Sequence, residues 1–540
     1  MTHRTRSPRF ARCCRCGASS CTAAGAASRH GSPWVSDGSG STSRITPAIR
    51  RLARCLSTPV GSRRWSSFSR TAPRSSRAGS GSWRGTTSRR SCTAAVIESG
   101  ALARDILIRD GRVSALVEPG AASAGDEIDA SGLLAMPGAV DAHVHFNDPG
   151  RADWEGWPSG SRAAAAGGTT TVIDMPLNSL PPVLDGGSFD AKRAAAERGS
   201  LVDFALWGGI TGADDAALRE LADRGAVGVK GFMCDSGVPE FSSIPDDQLE
   251  AALRAAASAG LLVALHAEDD TLLRDATRAA QVAGRRDAAA WADSRPPLVE
   301  VRAVARAYAA ARDAGARLHV VHLSSREALG AIGAARRDGV DISVETCPHY
   351  LVFDRDDVSR LGAILKCAPP LRDRANRDAL WNAVSDGRID LVASDHSPCP
   401  SDLKRRGAGD IFAAWGGVAG VQSLLVTLFT EAVLRSGGSL DTRKIAGFVA
   451  WRVSTKPARR FGLWPRKGNL AVGADADVVL LDPDPEWTLD VEDSLTRGLS
   501  PYVGRAFRGR VVRTIVRGRT IFADGRVVAE GGGRFVARSA

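Results

Sequence analysis

The chain has 540 residues, of which 44% are hydrophobic, and carries a formal net charge of +11. This length predicts two or more structural units with a large buried core. No apolar run reaches the roughly 18 residues of a membrane-spanning helix, which excludes a membrane protein and favours a soluble globular one.

The positive charge is concentrated in one segment. Residues 1–95 contain 18 Arg, no Lys and a single acidic residue, whereas the rest of the chain has a net charge of −6. We therefore expect neither nucleic acid nor a membrane as a partner, because the body of the protein is mildly acidic.

Residues 1–94 form a segment rich in Ser, Gly and Arg that holds six of the ten cysteines and has no sustained periodicity. A transit peptide has a similar Arg-rich, acid-poor composition. A zinc module could be built on Cys13, Cys14, Cys16 and Cys21. The complete lack of Lys favours a third interpretation, a disordered or non-native extension ahead of the folded protein.

The two ends of the remaining chain are rich in strand signals. Residues 103–113 indicate two short strands joined by an Asp110-Gly111 turn, and further strand patterns occupy 476–482 and 511–519. These patterns predict one small β-domain assembled from residues 95–138 plus 456–540.

The middle of the chain, residues 139–455, alternates apolar strand-like runs with Ala-rich helical stretches. Eight strands are predicted, at 139–146, 169–175, 203–210, 225–233, 261–268, 317–324, 341–347 and 389–395. Helices are predicted between them, as at 247–259 and 297–314. Eight βα units indicate an α/β fold of the (β/α)8 barrel type, whose active site lies at the C-terminal ends of the strands.

Polar side chains occupy those strand ends. The first strand ends in the H-x-H pair of His143 and His145, whose alternate positions place both imidazoles on one face. Later strands add Lys230, His266, His322 and Asp395. Each of these residues alone has an ordinary structural explanation, but their joint placement at the strand ends predicts a metal site. His319 points the other way on its strand and is predicted to be structural.

With this ligand pattern, the chain from about residue 95 resembles the cyclic amidohydrolases of the amidohydrolase superfamily. The resemblance implies two divalent metal ions, zinc first and Co, Mn or Fe as alternatives. It implies that His143, His145 and Asp395 hold one ion, that His266 and His322 hold the other, and that a CO2-derived carbamate on Lys230 bridges them. It also implies a β-sandwich as the second domain and a homotetramer.

The chemistry implied by the resemblance is hydrolysis of a ring amide. A hydroxide bridging the two metals attacks the ring carbonyl. Asp395 is then the catalytic residue that takes the proton and delivers it to the departing nitrogen.

Four local strings, beginning at His143, Asp174, Asp395 and Ala414, look like those of the allantoinases within this family. The resemblance implies allantoin as the small-molecule substrate, opened to allantoate in purine breakdown. Asn147, Asn178 and Ser236 are the candidate substrate-binding residues, since allantoin is uncharged and rich in amide groups. A hydantoinase or dihydropyrimidinase activity is the alternative, and a non-catalytic scaffold on the same fold is a further one.

The remaining cysteines, Cys234, Cys347, Cys367 and Cys399, give no sign of a disulfide framework, so we expect a cytoplasmic protein. Lys456 replaces an asparagine common in similar proteins, and we expect it to change local packing without loss of activity.

Overall fold

The structure is a computed structural model and describes residues 95–97, 100–122 and 125–539. The predicted extension at 1–94 lies outside the described residues. None of the helices in the described part of the chain is long and apolar enough to cross a membrane.

Eighteen strands can be numbered in chain order over the described residues. The first five are β1 Ala95–Ile97, β2 Gly100–Leu102, β3 Asp105–Arg109, β4 Arg112–Val117 and β5 Leu134–Pro137. The next nine are β6 Ala139–Val144, β7 Thr169–Asp174, β8 Asp203–Leu206, β9 Gly208–Gly209, β10 Val229–Phe232, β11 Val263–His266, β12 Leu318–Val320, β13 Ile342–Thr346 and β14 Leu391–Val392. The last four are β15 Val478–Thr488, β16 Ala506–Val516, β17 Arg519–Ala523 and β18 Arg526–Val527.

Strands β6 to β14 form the barrel. β6, β7 and β8 pair in parallel, and β9 to β14 form a second parallel run in chain order. β8 and β9 are separated only by Trp207, so they occupy one of eight strand positions. The barrel is closed by a parallel bridge between Val144 and His396, with the His145 amide donating to the His396 carbonyl at 2.8 Å. Every residue of these strands is buried, as expected for parallel strands covered by helices.

Helices alternate with the barrel strands. They are α1 Trp157–Ala166, α2 Gly186–Gly199, α3 Asp215–Asp223, α4 Leu249–Ser258, α5 Asp270–Val282, α6 Ala288–Asp293, α7 Pro297–Ala314, α8 Leu329–Arg337, α9 Pro348–Val352, α10 Arg355–Leu361, α11 Arg374–Asp386, α12 Ser401–Arg405, α13 Leu424–Arg435, α14 Thr442–Ala450 and α15 Lys456–Arg460. Short 3-10 turns lie at Asp246–Gln248, Gly362–Leu365, Ile411–Ala413 and Val421–Ser423, and a π-helical turn at Trp451–Thr455 leads into α15.

Local sequence explains the helix boundaries. α7 begins with Pro297 at its first position, where the missing N–H costs nothing, and its last residue, Ala314, is followed by Gly315 as a left-handed cap with φ 64°. α2 begins after Asp185, whose carboxylate accepts from the Ser188 amide at 2.7 Å in a capping box.

The remaining strands form the sandwich part. One sheet has the order β18-β17-β16-β15-β5-β1-β2, and β3 and β4 form a separate antiparallel pair. A buried ionic cluster joins this part to the barrel: Lys467 Nζ lies 2.5 Å from Asp203 of β8, 2.9 Å from Asp475 and 2.7 Å from Asp477. Such a cluster is costly to disrupt, because removing one partner leaves buried charge unpaired.

The prediction of an α/β barrel with eight parallel strand positions and a small β-sandwich is confirmed, and each observed barrel strand falls within a predicted range. The domain boundaries at 95–138, 139–455 and 456–540 stay a prediction. At Lys456 the ammonium lies 5.4 Å from the Trp451 ring centroid, a surface contact at the start of α15.

Candidate metal centre

The six predicted ligands all line one cavity of about 630 Å³ at the C-terminal ends of the barrel strands. His143 lies in β6 and His145 follows it; Lys230 lies in β10 and His266 ends β11. His322 and Asp395 follow β12 and β14 in the left-handed backbone region, with φ 37° and 44°. Residues other than glycine rarely adopt this conformation, which persists only where the surrounding fold holds it.

Three of these side chains form a compact donor set. The Nε2 atoms of His143 and His145 are 3.3 Å apart, and they lie 3.3 and 3.6 Å from Oδ1 of Asp395. Three ligand atoms bound about 2.1 Å from one tetrahedral ion lie roughly 3.4 Å apart. The geometry therefore fits a single divalent metal ion.

A second pair of donors lies in the same cavity. Nδ1 of His266 is 3.1 Å from Nε2 of His322, again the spacing of two ligands on one ion. Burial lowers the pKa of both imidazoles, that of His322 to well below its ordinary value, so both are neutral and able to bind a cation.

Lys230 is the unusual member of the site. Its side chain is buried, and its Nζ has no hydrogen-bond partner within the described part of the chain. Burial lowers the pKa of Lys230 to about 7, against the opposing effects of Glu345 and Asp395. A buried amine that is partly neutral and unpartnered has the chemistry that carbamate formation requires.

Two carboxylates that the sequence analysis missed support the ligands. Glu345 in β13 accepts from His143 Nδ1 at 2.6 Å and contacts His319 Nε2 at 3.1 Å. Burial alone would raise the pKa of Glu345, but these histidines outweigh it and hold the pKa at about 2. Glu268 lies 2.7 Å from His266 Nε2 and also pairs with Arg295. Carboxylates behind metal-binding histidines fix the ring orientation and tautomer.

Of the three predicted substrate-binding residues, two line the cavity and one does not. Asn178 lines the cavity, with its Nδ2 3.5 Å from His145 Nδ1. Ser236 also lines it, but its hydroxyl donates to the Phe241 carbonyl at 2.6 Å. Asn147 lies outside the lining, where its amide contacts the Pro398 carbonyl at 3.4 Å. His319 also lies outside the lining, held by Ser343 Oγ at 2.7 Å.

The cavity lining also includes a lysine and a tryptophan that could not be recognised from sequence, Lys366 and Trp291. Lys366 Nζ donates to the carbonyls of Ala414 at 2.5 Å and Phe412 at 3.1 Å, and it lies 4.2 Å from the Trp291 ring centroid. These contacts hold the loop that contains Phe412 and Ala414 against the cavity.

Residues 134–521 match the amidohydrolase family. The allantoinase of Rubrobacter xylanophilus is 48% identical over 447 residues, covering 82% of this chain and 95% of that protein. The allantoinase of Deinococcus radiodurans is 42% identical, covering 80% of this chain and 94% of that protein.

Solved structures give the same picture of the fold. An L-hydantoinase (dihydropyrimidinase) from Arthrobacter aurescens superposes with a TM-score of 0.79 at 34% identity, covering 83% of this chain and 99% of that one. A dihydropyrimidinase from Brevibacillus agri has a TM-score of 0.77 at 32% identity, covering 84% of this chain and 99% of that one.

Proposed function

The chain belongs to the amidohydrolase family, and we propose that it is the metal-dependent hydrolase that opens the hydantoin ring of allantoin to give allantoate. The observation that carries this proposal is the pair of donor sets in one cavity, with the unpartnered Lys230 amine buried in the same cavity. Relatives named allantoinases, matched along nearly their full length, support the choice of substrate.

In this proposal His143, His145 and Asp395 hold one ion, His266 and His322 hold the other, and Lys230 as its carbamate is a ligand of both. We propose zinc as the metal, because imidazole and carboxylate ligands suit it. Bound divalent ions would acidify a water and polarise the ring carbonyl.

Asp395 would move the proton. Burial alone would raise its pKa, but the adjacent His143 and the hydrogen bond with His145 hold the pKa well below its ordinary value. The carboxylate is therefore ionised and can accept the proton of the attacking water. The water oxygen forms a bond to the ring carbonyl carbon. As the ring C–N bond breaks, the proton passes from Asp395 to the departing nitrogen, and the new carboxyl group releases the remaining proton of the water to solvent to become a carboxylate.

Asn178 is the substrate contact that we favour, because it lines the cavity beside His145 and its Oδ1 has no partner among the described residues. An unpartnered amide can bind the donor groups of a ureide. Asn147 and Ser236 are proposed contacts with less support, because Asn147 does not line the cavity and the Ser236 hydroxyl donates to the Phe241 carbonyl.

We also propose a cytoplasmic homotetramer. The resemblance to cyclic amidohydrolases supports the tetramer, and four free, buried cysteines in the described chain suit a reducing compartment. Light scattering of the purified protein would test the assembly by its mass.

A second candidate function is hydrolysis of simple hydantoins or dihydropyrimidines. The observation that favours it is the set of superposed structures, which carry those names.

The proposed allantoin hydrolysis is tested by supplying zinc and bicarbonate and following allantoate formation from allantoin. A chelated, dialysed sample is the control: allantoate that forms equally fast without metal would contradict the proposal.

A further inference from the structure

A second group of metal-binding side chains lies next to the proposed centre. One ligand atom each of Cys347, His349 and Asp395 fall within 4.8 Å of one another. Cys347 is the single residue between β13 and α9, and His349 lies in the first turn of α9. Cys347 and His349 have no exposed surface, and Asp395 is 7% exposed.

His349 makes this group unusual. Within the described part of the chain, neither Nδ1 nor Nε2 of its ring has a hydrogen-bond partner. Buried polar groups are nearly always paired, so a fully buried imidazole with two free nitrogens is a side chain with the capacity to bind a further group. Because the Cys347 thiol and the Asp395 carboxylate lie within 4.8 Å of this ring, the group that these three side chains suit is a metal cation.

We propose that Cys347, His349 and Asp395 form a third, inhibitory site for a thiophilic divalent cation, such as zinc in excess. Sulfur, imidazole nitrogen and carboxylate oxygen are the donors that such cations prefer. As the cation binds, the Cys347 thiol loses its proton to solvent and a metal–sulfur bond forms, with no change of oxidation state.

Asp395 connects this site to the proposed reaction. Its contacts with His143, His145 and Ser397 all use Oδ1. A cation held by Cys347 and His349 that also binds this carboxylate withdraws charge from it, and Asp395 is the proton acceptor of the proposed reaction. Binding therefore lowers activity, and this consequence rests on the proposed function, whereas binding itself does not.

The neighbouring Cys234 provides a contrast within the same protein. Cys234, His266 and Glu268 also have ligand atoms within 4.8 Å of one another. There, however, His266 already contacts Glu268 and His322 through its two ring nitrogens, and Glu268 also pairs with Arg295. Both ring nitrogens of this histidine thus contact other side chains, unlike those of His349, so Cys234 is the matched control.

The probe is Cd²⁺, because a cadmium–thiolate bond has a near-ultraviolet charge-transfer band that imidazole and carboxylate ligands do not produce. The full-length, zinc-loaded enzyme is titrated with Cd²⁺ while the band and allantoin turnover are both recorded. Every protein compared, including the wild-type reference, carries Ser in place of the six cysteines of residues 1–95, because those thiols would give the same band. Cys347→Ser, His349→Gln and Cys234→Ser are titrated alongside, with inhibition normalised to the starting activity of each protein.

We expect the wild-type enzyme and Cys234→Ser to develop the band together with inhibition. Cys347→Ser should lose the band and resist inhibition. His349→Gln keeps the Cys347 thiol, but we expect it to need about 10-fold or more additional Cd²⁺ to reach the same band intensity, the usual scale for loss of one contact at a metal site. This variant decides the question if Cys347→Ser does not fold.

The proposal is overturned if the wild-type enzyme shows no band, if the band survives in Cys347→Ser, or if His349→Gln binds Cd²⁺ as tightly as the wild-type enzyme. Inhibition that persists in Cys347→Ser would overturn the inhibitory role. Failure of allantoin turnover would instead count against the proposed function, since the charge-transfer band does not depend on it.

Discussion

Nδ1 of His143 lies 2.6 Å from Oε1 of Glu345, and both side chains are buried. This contact turns Nε2 of His143 toward Asp395. The same Glu345 oxygen also accepts from the backbone amide of His322 at 3.3 Å. One carboxylate therefore positions a ligand from each of the two donor sets.

Glu345→Gln keeps the shape of this side chain but removes its charge. We expect metal affinity to fall by about 10- to 100-fold, because supporting carboxylates orient metal-binding histidines and raise their basicity. Metal content after dialysis against buffered zinc measures the effect, with the half-exposed Glu327→Gln as the control. Equal metal content in Glu345→Gln and the wild-type protein would contradict the assignment.

Lys230→Ala and Lys230→Arg should both lose activity, by at least about 100-fold, since a lost bridging ligand costs at least as much as a lost supporting contact. The arginine variant keeps a positive charge but cannot carry a carbamate, so it separates charge from carbamylation. Removing CO2 from the wild-type protein should lower turnover, and bicarbonate should restore it. Near-normal turnover by Lys230→Arg would refute the bridging role.

Asn178→Ala should raise KM for allantoin by about 5- to 10-fold with a smaller change in kcat, the scale of one lost hydrogen bond. Ser236→Ala should have a smaller effect on KM, because the Ser236 hydroxyl already donates to Phe241. Steady-state kinetics of the two variants test this order. A larger rise in KM for Ser236→Ala would show that the serine is the substrate contact.

Lys366 should make stability depend on pH. Burial, with a further contribution from the nearby cations Arg295 and Lys404, lowers the pKa of Lys366 from 10.5 to about 7. Between these values the unfolded chain binds one more proton than the folded protein, so the free energy of unfolding rises with pH. Below about pH 7 both states are protonated, and burial of the Lys366 ammonium lowers the free energy of unfolding by up to a few kcal/mol.

Lys366→Met should lose this rise in stability between about pH 7 and about pH 9.5. Urea unfolding of both proteins at the two pH values is the measurement. The variant also loses the hydrogen bonds to Ala414 and Phe412, which shifts its stability by a similar amount at both values, so only the difference in pH dependence is diagnostic. Parallel pH dependence would contradict the low pKa.

The barrel and the six ligand candidates could be predicted from sequence because histidine, lysine and aspartate interrupt otherwise apolar strands at their ends. Glu345 and Glu268 could not be assigned in this way, although both lie in predicted strands, because an acidic residue in a strand more often faces solvent. The contact of Lys366 with Trp291 joins distant parts of the chain, and only the fold brings them together. Asn147, with φ 62°, shows that proximity to the H-x-H pair in sequence does not by itself place a side chain in the cavity.

The central claim is that this cavity opens the ring of allantoin in preference to related rings. The most direct test compares kcat/KM for allantoin, hydantoin, dihydrouracil and dihydroorotate, using metal-loaded protein that begins at Ala95. We expect allantoin to be hydrolysed at least about 100-fold more efficiently than the others, the discrimination expected where a site pairs the polar groups of its substrate. Faster hydrolysis of hydantoin or dihydrouracil would contradict the substrate assignment while leaving the metal centre in place.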